Sequence, residues 1–229
     1  MASKVMKTVL QQKIVAPIVL LSLCLLALPC AAAEWRDRVR DFASANFRHP
    51  AWGYSHSGRD YMLSSQLAAA DHVDVDDDVL FAAAYLHDMA AFKPWEVEEK
   101  EHGDVGAMTI DAVLAGTDFP MEKIEAVRAA IRSHMYYRRP VGPEAIYLHD
   151  ADALDWLGAI GIARVLALTD PSGGKPFTSD SISLIEKNMK DVPSHIVSPA
   201  ARHLIASRLA EESDFLKALS GETDGLRLL

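Results

Sequence analysis

The chain has 229 residues, half of them hydrophobic, with 23 basic and 32 acidic side chains and a formal charge of −9. That length supports one domain with its own core. The acidity excludes a surface built to track a phosphate backbone, so no nucleic-acid partner is expected.

The first 33 residues read as a leader rather than as fold. Lys4, Lys7 and Lys13 form a positive start, and Ile14 to Leu28 is apolar apart from Pro17 and Ser22. Ala31-Ala32-Ala33 then offers a small-residue cleavage site before Glu34. This pattern predicts a secretory signal peptide over 1–33, an exported (periplasmic or secreted) protein, and no stable membrane anchor after cleavage. Both cysteines, Cys24 and Cys30, fall inside it, so the mature chain carries no thiol or disulfide chemistry. Its loss removes three lysines and no acid, which deepens the negative charge.

From Glu34 to the end, residues 34–229 read as helices, with no sustained apolar–polar alternation. An amphipathic helix runs from Glu34 to about Arg48, followed by a loop through Pro50 and Gly53. A second starts near Ser57 and continues through the alanines at 68–70. Asp76-Asp77-Asp78 supplies the N-terminus of a third, because carboxylates favour that end. The fourth spans about His102 to Ala115 and stops at Gly116. The fifth follows Pro120 and ends before Pro140. A long apolar helix is expected from Pro143 to Thr169, then a break at Pro171-Ser172-Gly173-Gly174. Helices over about 178–190 and 198–219 close the chain.

Several polar residues sit where the helical pattern calls for core. Val79 to Leu86 is apolar and runs straight into His87-Asp88, a pair that is costly to bury unless something binds it. His134 continues the stripe of Ile124, Val127 and Ile131. His102 shares a face with Gly106, Ile110 and Val113, and Asp152 lies among apolar neighbours. A bound divalent cation satisfies such groups together, and imidazole plus carboxylate suits iron, manganese, zinc or nickel.

The order His56, His87-Asp88, Asp152 resembles the H…HD…D signature of the HD-domain metal-dependent phosphohydrolase superfamily. HSGR at 56–59, AAAYLHD at 82–88 and LHDADALDWLGAIGIAR at 148–164 carry the resemblance, which covers roughly Trp52 to Asp170. A second His-Asp pair, His149-Asp150, competes for the last position; the family pattern falls on Asp152. The resemblance implies a single all-α HD-type bundle with a metal site among its central helices. It implies His56, His87, Asp88 and Asp152 as ligands of one ion (Mn, Fe, Zn, Ni or Mg). His102 and His134, in EKEHGDVGA and IRSHMYY, would hold a second ion bridged by Asp88. Where many relatives continue with glycine and lysine after the pair, this chain has Met89-Ala90-Ala91-Phe92, and Ala153 follows the last ligand. Phosphate-binding charge is therefore expected from Arg59, Lys93, Arg132 and Arg138, with Arg139 beside it.

The activity so implied is hydrolysis of a small phosphorylated substrate by water activated at the metal, with Asp88 orienting the nucleophile as well as ligating. Two alternatives share the residues. Mixed-valent di-iron oxygenases use the same ligand order, and a metal-stabilised binding protein would need no turnover.

Overall fold

The computed structural model describes residues 30–229, and they form an all-helical bundle with no strand among them. The helices are α1 (Cys30–Asn46), α2 (Tyr54–Ala70), α3 (Asp77–Leu86), α4 (His102–Thr109) and α5 (Asp111–Leu114). They continue as α6 (Ile124–Arg132), α7 (Pro143–Asp155), α8 (Gly158–Leu166), α9 (Thr178–Asp191) and α10 (Pro199–Glu222). The leader expected over 1–33 lies outside the described residues except for the backbone of its last four.

The centre of the bundle is α3. Asp76 caps it, its carboxylate accepting from the N–H groups of Asp78 and Val79. Every side chain from Val79 to Leu86 is buried, so the helix has no solvent face and must be enclosed on all sides. Trp35, Val39, Ala43 and Phe47 of α1 cover one flank, with Trp35 meeting Phe81 edge-on at 5.4 Å. Helices α2, α6 and α7 cover the others. A second core joins Leu67 and Ala68 of α2 to Ala151 and Leu154 of α7 and Ala200 and Ala201 of α10. The tight pairing of α2 with α7 brings His56 and Asp152 to one point.

Three expected elements are interrupted: the fourth helix divides at Ile110 into α4 and α5, and two others end early for identifiable reasons. The long helix breaks after Asp155, and a new one starts at Gly158, which has φ +73°. A non-glycine residue there would be strained. A Cβ on Gly161 would lie 2.4 Å from the carbonyl oxygen of Trp156, so that turn closes only on glycine. The helix expected to run to Pro140 stops at Arg132. Ser133 turns its hydroxyl back to the Ala129 carbonyl at 2.9 Å, and the chain beyond it is free to leave the helical path.

Candidate metal centre

Asp88 follows the end of α3 and faces two groups of histidines. Its Oδ2 lies 3.2 Å from His87 Nε2 and 3.5 Å from His56 Nε2. Its Oδ1 lies 3.1 Å from His102 Nε2 and 3.7 Å from His134 Nε2. On the first side, His56 Nε2 is 3.2 Å from His87 Nε2, 3.2 Å from Asp152 Oδ1 and 3.2 Å from Asp60 Oδ2. On the second, the Nε2 atoms of His102 and His134 are 3.1 Å apart. All the histidines and aspartates expected at the site thus converge. Except for His102, at the cavity wall, they are buried.

The imidazoles arrive with their tautomers assigned by partners that can only accept. His87 Nδ1 donates to the Ala84 carbonyl at 2.8 Å and His134 Nδ1 to the Ile131 carbonyl at 2.6 Å. His56 Nδ1 donates to Asp155 Oδ2 at 2.8 Å. Each bond spends the Nδ1 proton outward and turns Nε2 toward the cluster, the arrangement by which ligating histidines are oriented. Donors about 2.1 Å from an ion stand about 3 Å apart when at right angles, so the spacings suit a common cation.

Electrostatics point the same way. Burial opposes charging His87, but the Asp88 carboxylate beside it, helped by Asp60, pushes it up to about 9. Burial and the neighbouring His87 together push His134 down to about 4. Burial, with Asp155 and Asp152 nearby, raises the Asp60 carboxyl well above the usual range. Asp88 and Asp152 stay low against their own burial because imidazoles surround them. A field that draws a proton onto His87 draws a metal cation as well, and metal binding displaces that proton. Asp60 adds a carboxylate with neither oxygen hydrogen-bonded. Together the donor set and the orphaned carboxylate fit a divalent metal.

Two residues that sequence reasoning passed over complete the arrangement. Asp60 falls one turn after His56 on α2, a spacing that could have drawn notice. Asp155 gathers Arg59 Nη2 at 2.7 Å and Arg164 Nη1 at 3.0 Å as well as His56. Arg164 is fully buried, with Nε bonded to the Ala51 carbonyl at 2.6 Å and its guanidinium 3.8 Å from the Trp156 ring centroid.

A cavity of about 510 Å³ opens over Asp88, His102 and Asp152, walled by Trp52, Met135 and Trp156. The expected phosphate-binding cations stand elsewhere. Arg59 is committed to Asp155, and Arg138 pairs with Asp104 at 2.9 Å. Lys93, Arg132 and Arg139 are exposed, and none of the five lines the cavity. The basic residues that do are Lys100 at the rim and Arg164 in the wall. Proximity in sequence to a ligand does not set the direction of a long side chain, which here follows the nearest buried carboxylate.

The second His-Asp pair has a different environment. Asp150 accepts from the N–H groups of Val197 at 3.0 Å and Ser198 at 2.6 Å and sits 2.9 Å from His149 Nδ1. His149 Nε2 meets the Tyr136 carbonyl at 3.2 Å. Asp150→Ala should therefore leave metal content intact while costing about 2–3 kcal/mol of stability, because buried donors lose their acceptor. Asp152→Ala should do the reverse, stripping metal at a smaller cost in stability. Metal analysis and denaturant titration of the two variants check this, and the opposite ranking would move the last ligand by two residues.

Comparison with known proteins agrees with this geometry. Residues 53–157 match the family model described as HD domain, a span containing every histidine and aspartate of the cluster. None of the curated proteins matches the chain. Among solved structures it is similar to a predicted HD superfamily hydrolase from an uncultured Thermotogales bacterium. Identity is 25% and the TM-score 0.58, over 83% of this chain and 91% of that one. It is also similar in fold to Bacillus subtilis YpgQ, solved in complex with ADP, at 18% identity and TM-score 0.64 over 83% and 98% of the two chains. An HD-superfamily hydrolase from Bacillus thuringiensis gives 21% and 0.55 over 83% and 97%. With its signature residues gathered in one buried cluster, residues 53–157 form an HD domain.

Proposed function

We propose that this protein is an exported metal-dependent phosphohydrolase acting on a small phosphate ester. The observation that carries the reading is the turning of Nε2 atoms from His56, His87 and His134 toward the two oxygens of Asp88, beneath an open cavity. A divalent ion held there supplies a Lewis acid and water of lowered pKa. The chain's own residues do the rest. Asp88, with one oxygen toward each histidine group, is placed to orient the attacking water. Lys100 at the rim offers positive charge to the ester's phosphoryl oxygens. Arg164 and Arg59 keep Asp155 ionised and His56 in the tautomer that presents Nε2.

The binding of ADP by YpgQ supports a phosphate-bearing ligand on this fold. Here Glu96, Glu98 and Glu99 stand around the same cavity with Lys100. Such a rim repels a polyanion and favours an ester with few negative charges. Export, read from residues 1–33, directs the activity to substrates outside the cytoplasm.

The six residues His56, His87, Asp88, His102, His134 and Asp152 also form the set used by mixed-valent di-iron oxygenases. Hydrolysis requires no redox change. Protein reconstituted with manganese under nitrogen should therefore release phosphate or an alcohol from a phosphate ester at the rate seen in air. Turnover confined to iron-loaded protein in air, with dioxygen consumed in proportion to product, would replace the hydrolase with the oxygenase. Absence of turnover under either condition would leave a binding protein.

A further inference from the structure

Asp60 lies outside the H…HD…D set, and its surroundings demand an explanation. It is fully buried, and neither carboxylate oxygen receives a hydrogen bond. Two other buried aspartates, Asp150 and Asp155, are well supplied. Asp150 accepts two backbone N–H groups, and Asp155 faces an imidazole and two guanidiniums. A buried carboxylate without such partners either takes up a proton or is held charged by a cation.

The groups nearest to Asp60 are those of the metal cluster. Its Oδ2 lies 3.2 Å from His56 Nε2 and 3.7 Å from His87 Nε2, and with Asp152 these form one group of mutually close donor atoms. Both imidazoles spend their Nδ1 protons elsewhere, on Asp155 and on the Ala84 carbonyl. Arg164, also buried, has Nη1 3.0 Å from Asp155 Oδ2, Nε on the Ala51 carbonyl and Nη2 3.3 Å from His56 Nε2. Helix geometry accounts for the placement, since residues four apart share a face, so Asp60 stands beside His56 on the side turned to Asp152.

We infer that Asp60 is a further protein ligand of the ion held by His56, His87 and Asp152. This rests on the metal-site reading above and adds to it a carboxylate that the family signature does not include. With Asp60, Asp88 and Asp152, three carboxylates meet two imidazoles on this side of the site. Carboxylate donors suit manganese and magnesium, whereas imidazole suits zinc, nickel and copper. The added carboxylate therefore shifts the preference of the site toward manganese.

The test uses metal-stripped full-length protein, its Asp60→Asn and Asp60→Val variants, and His87→Ala as a control. Calorimetric titration with Mn²⁺ and Zn²⁺ gives affinities, and thermal melts give the stability of stripped and loaded forms. Asp60→Asn should weaken Mn²⁺ by more than the roughly 10–100-fold expected of an outer-shell partner, and Zn²⁺ by less. The stripped forms of both variants should melt no lower than the stripped parent, because the buried carboxyl they replace has no hydrogen-bond partner to lose, while their gain on adding Mn²⁺ shrinks. Parental Mn²⁺ affinity in Asp60→Asn would overturn the assignment. So would a lowered melting temperature of both stripped variants with affinity retained, which would mark Asp60 as a neutral acid bonded to His56. Failure of the parent itself to bind any divalent ion would instead refute the metal-site reading, a result distinguishable from the loss of Asp60 alone.

Discussion

Replacing His87 or Asp88 by alanine is expected to bring bound metal and phosphate release to background while leaving the helical content unchanged. Asp88 is the only cluster residue with one oxygen toward each histidine group, so its loss removes a donor from both sides at once. His87 is fully buried and touches Asp88, His56 and Asp60 on the inner side. Nucleophile generation and charge stabilisation depend on the same ion, so no partial activity is expected to survive. Both residues lie past the last residue of α3, whose eight-residue apolar run is untouched. Elemental analysis, far-ultraviolet circular dichroism and a phosphate-release assay together decide the matter. A variant with parental metal content and turnover would refute the site.

Asp155→Ala should produce the largest loss of stability among substitutions near the site, about 3–5 kcal/mol, because it leaves the buried Arg164 guanidinium uncompensated. It also leaves the His56 Nδ1 proton without its acceptor. The ring is then free to adopt the other tautomer, which takes the Nε2 lone pair away from the cluster. Metal affinity should fall roughly 10–100-fold. Asp155→Asn separates the two effects. It retains an oxygen for His56 but not the charge facing Arg59 and Arg164, so affinity should recover more than stability. Denaturant unfolding of the stripped protein and metal titration read the two quantities independently. Equal losses in both variants would mean that orientation of His56 does not depend on Asp155.

The helical class, the cap at Asp76 and the convergence of His56, His87-Asp88, His102, His134 and Asp152 were legible in the sequence. Periodicity reports the burial of His134 and Asp152, whereas His56 and the choice of Asp152 over the equally buried Asp150 came from the H…HD…D resemblance. The break between α7 and α8 was less visible, since alanine and isoleucine continue the apolar pattern across it. Only Gly158 and Gly161 mark the point where the chain must turn and pack closely. Asp155 and Arg164 were passed over because each has an ordinary helical context, and their pairing depends on how α8 folds back after that break. The misplacement of Arg59 has the same origin. Its guanidinium follows a carboxylate 96 positions away along the chain, a separation that local patterns do not encode.

The two His-Asp dipeptides have different mechanical roles. His149 and Asp150 form a strut: the imidazole reaches the backbone at Tyr136, and the carboxylate holds the backbone at Val197 and Ser198. Tyr136 lies two residues after His134, and Asp150 two residues before Asp152. The strut therefore ties the irregular segment carrying one donor to the rigid helix carrying another, and both to the start of α10. His134 sits beyond the end of its own helix and has no helical ladder to hold its backbone. The crosslink fixes the backbone two residues beyond His134 to the helix that carries Asp152.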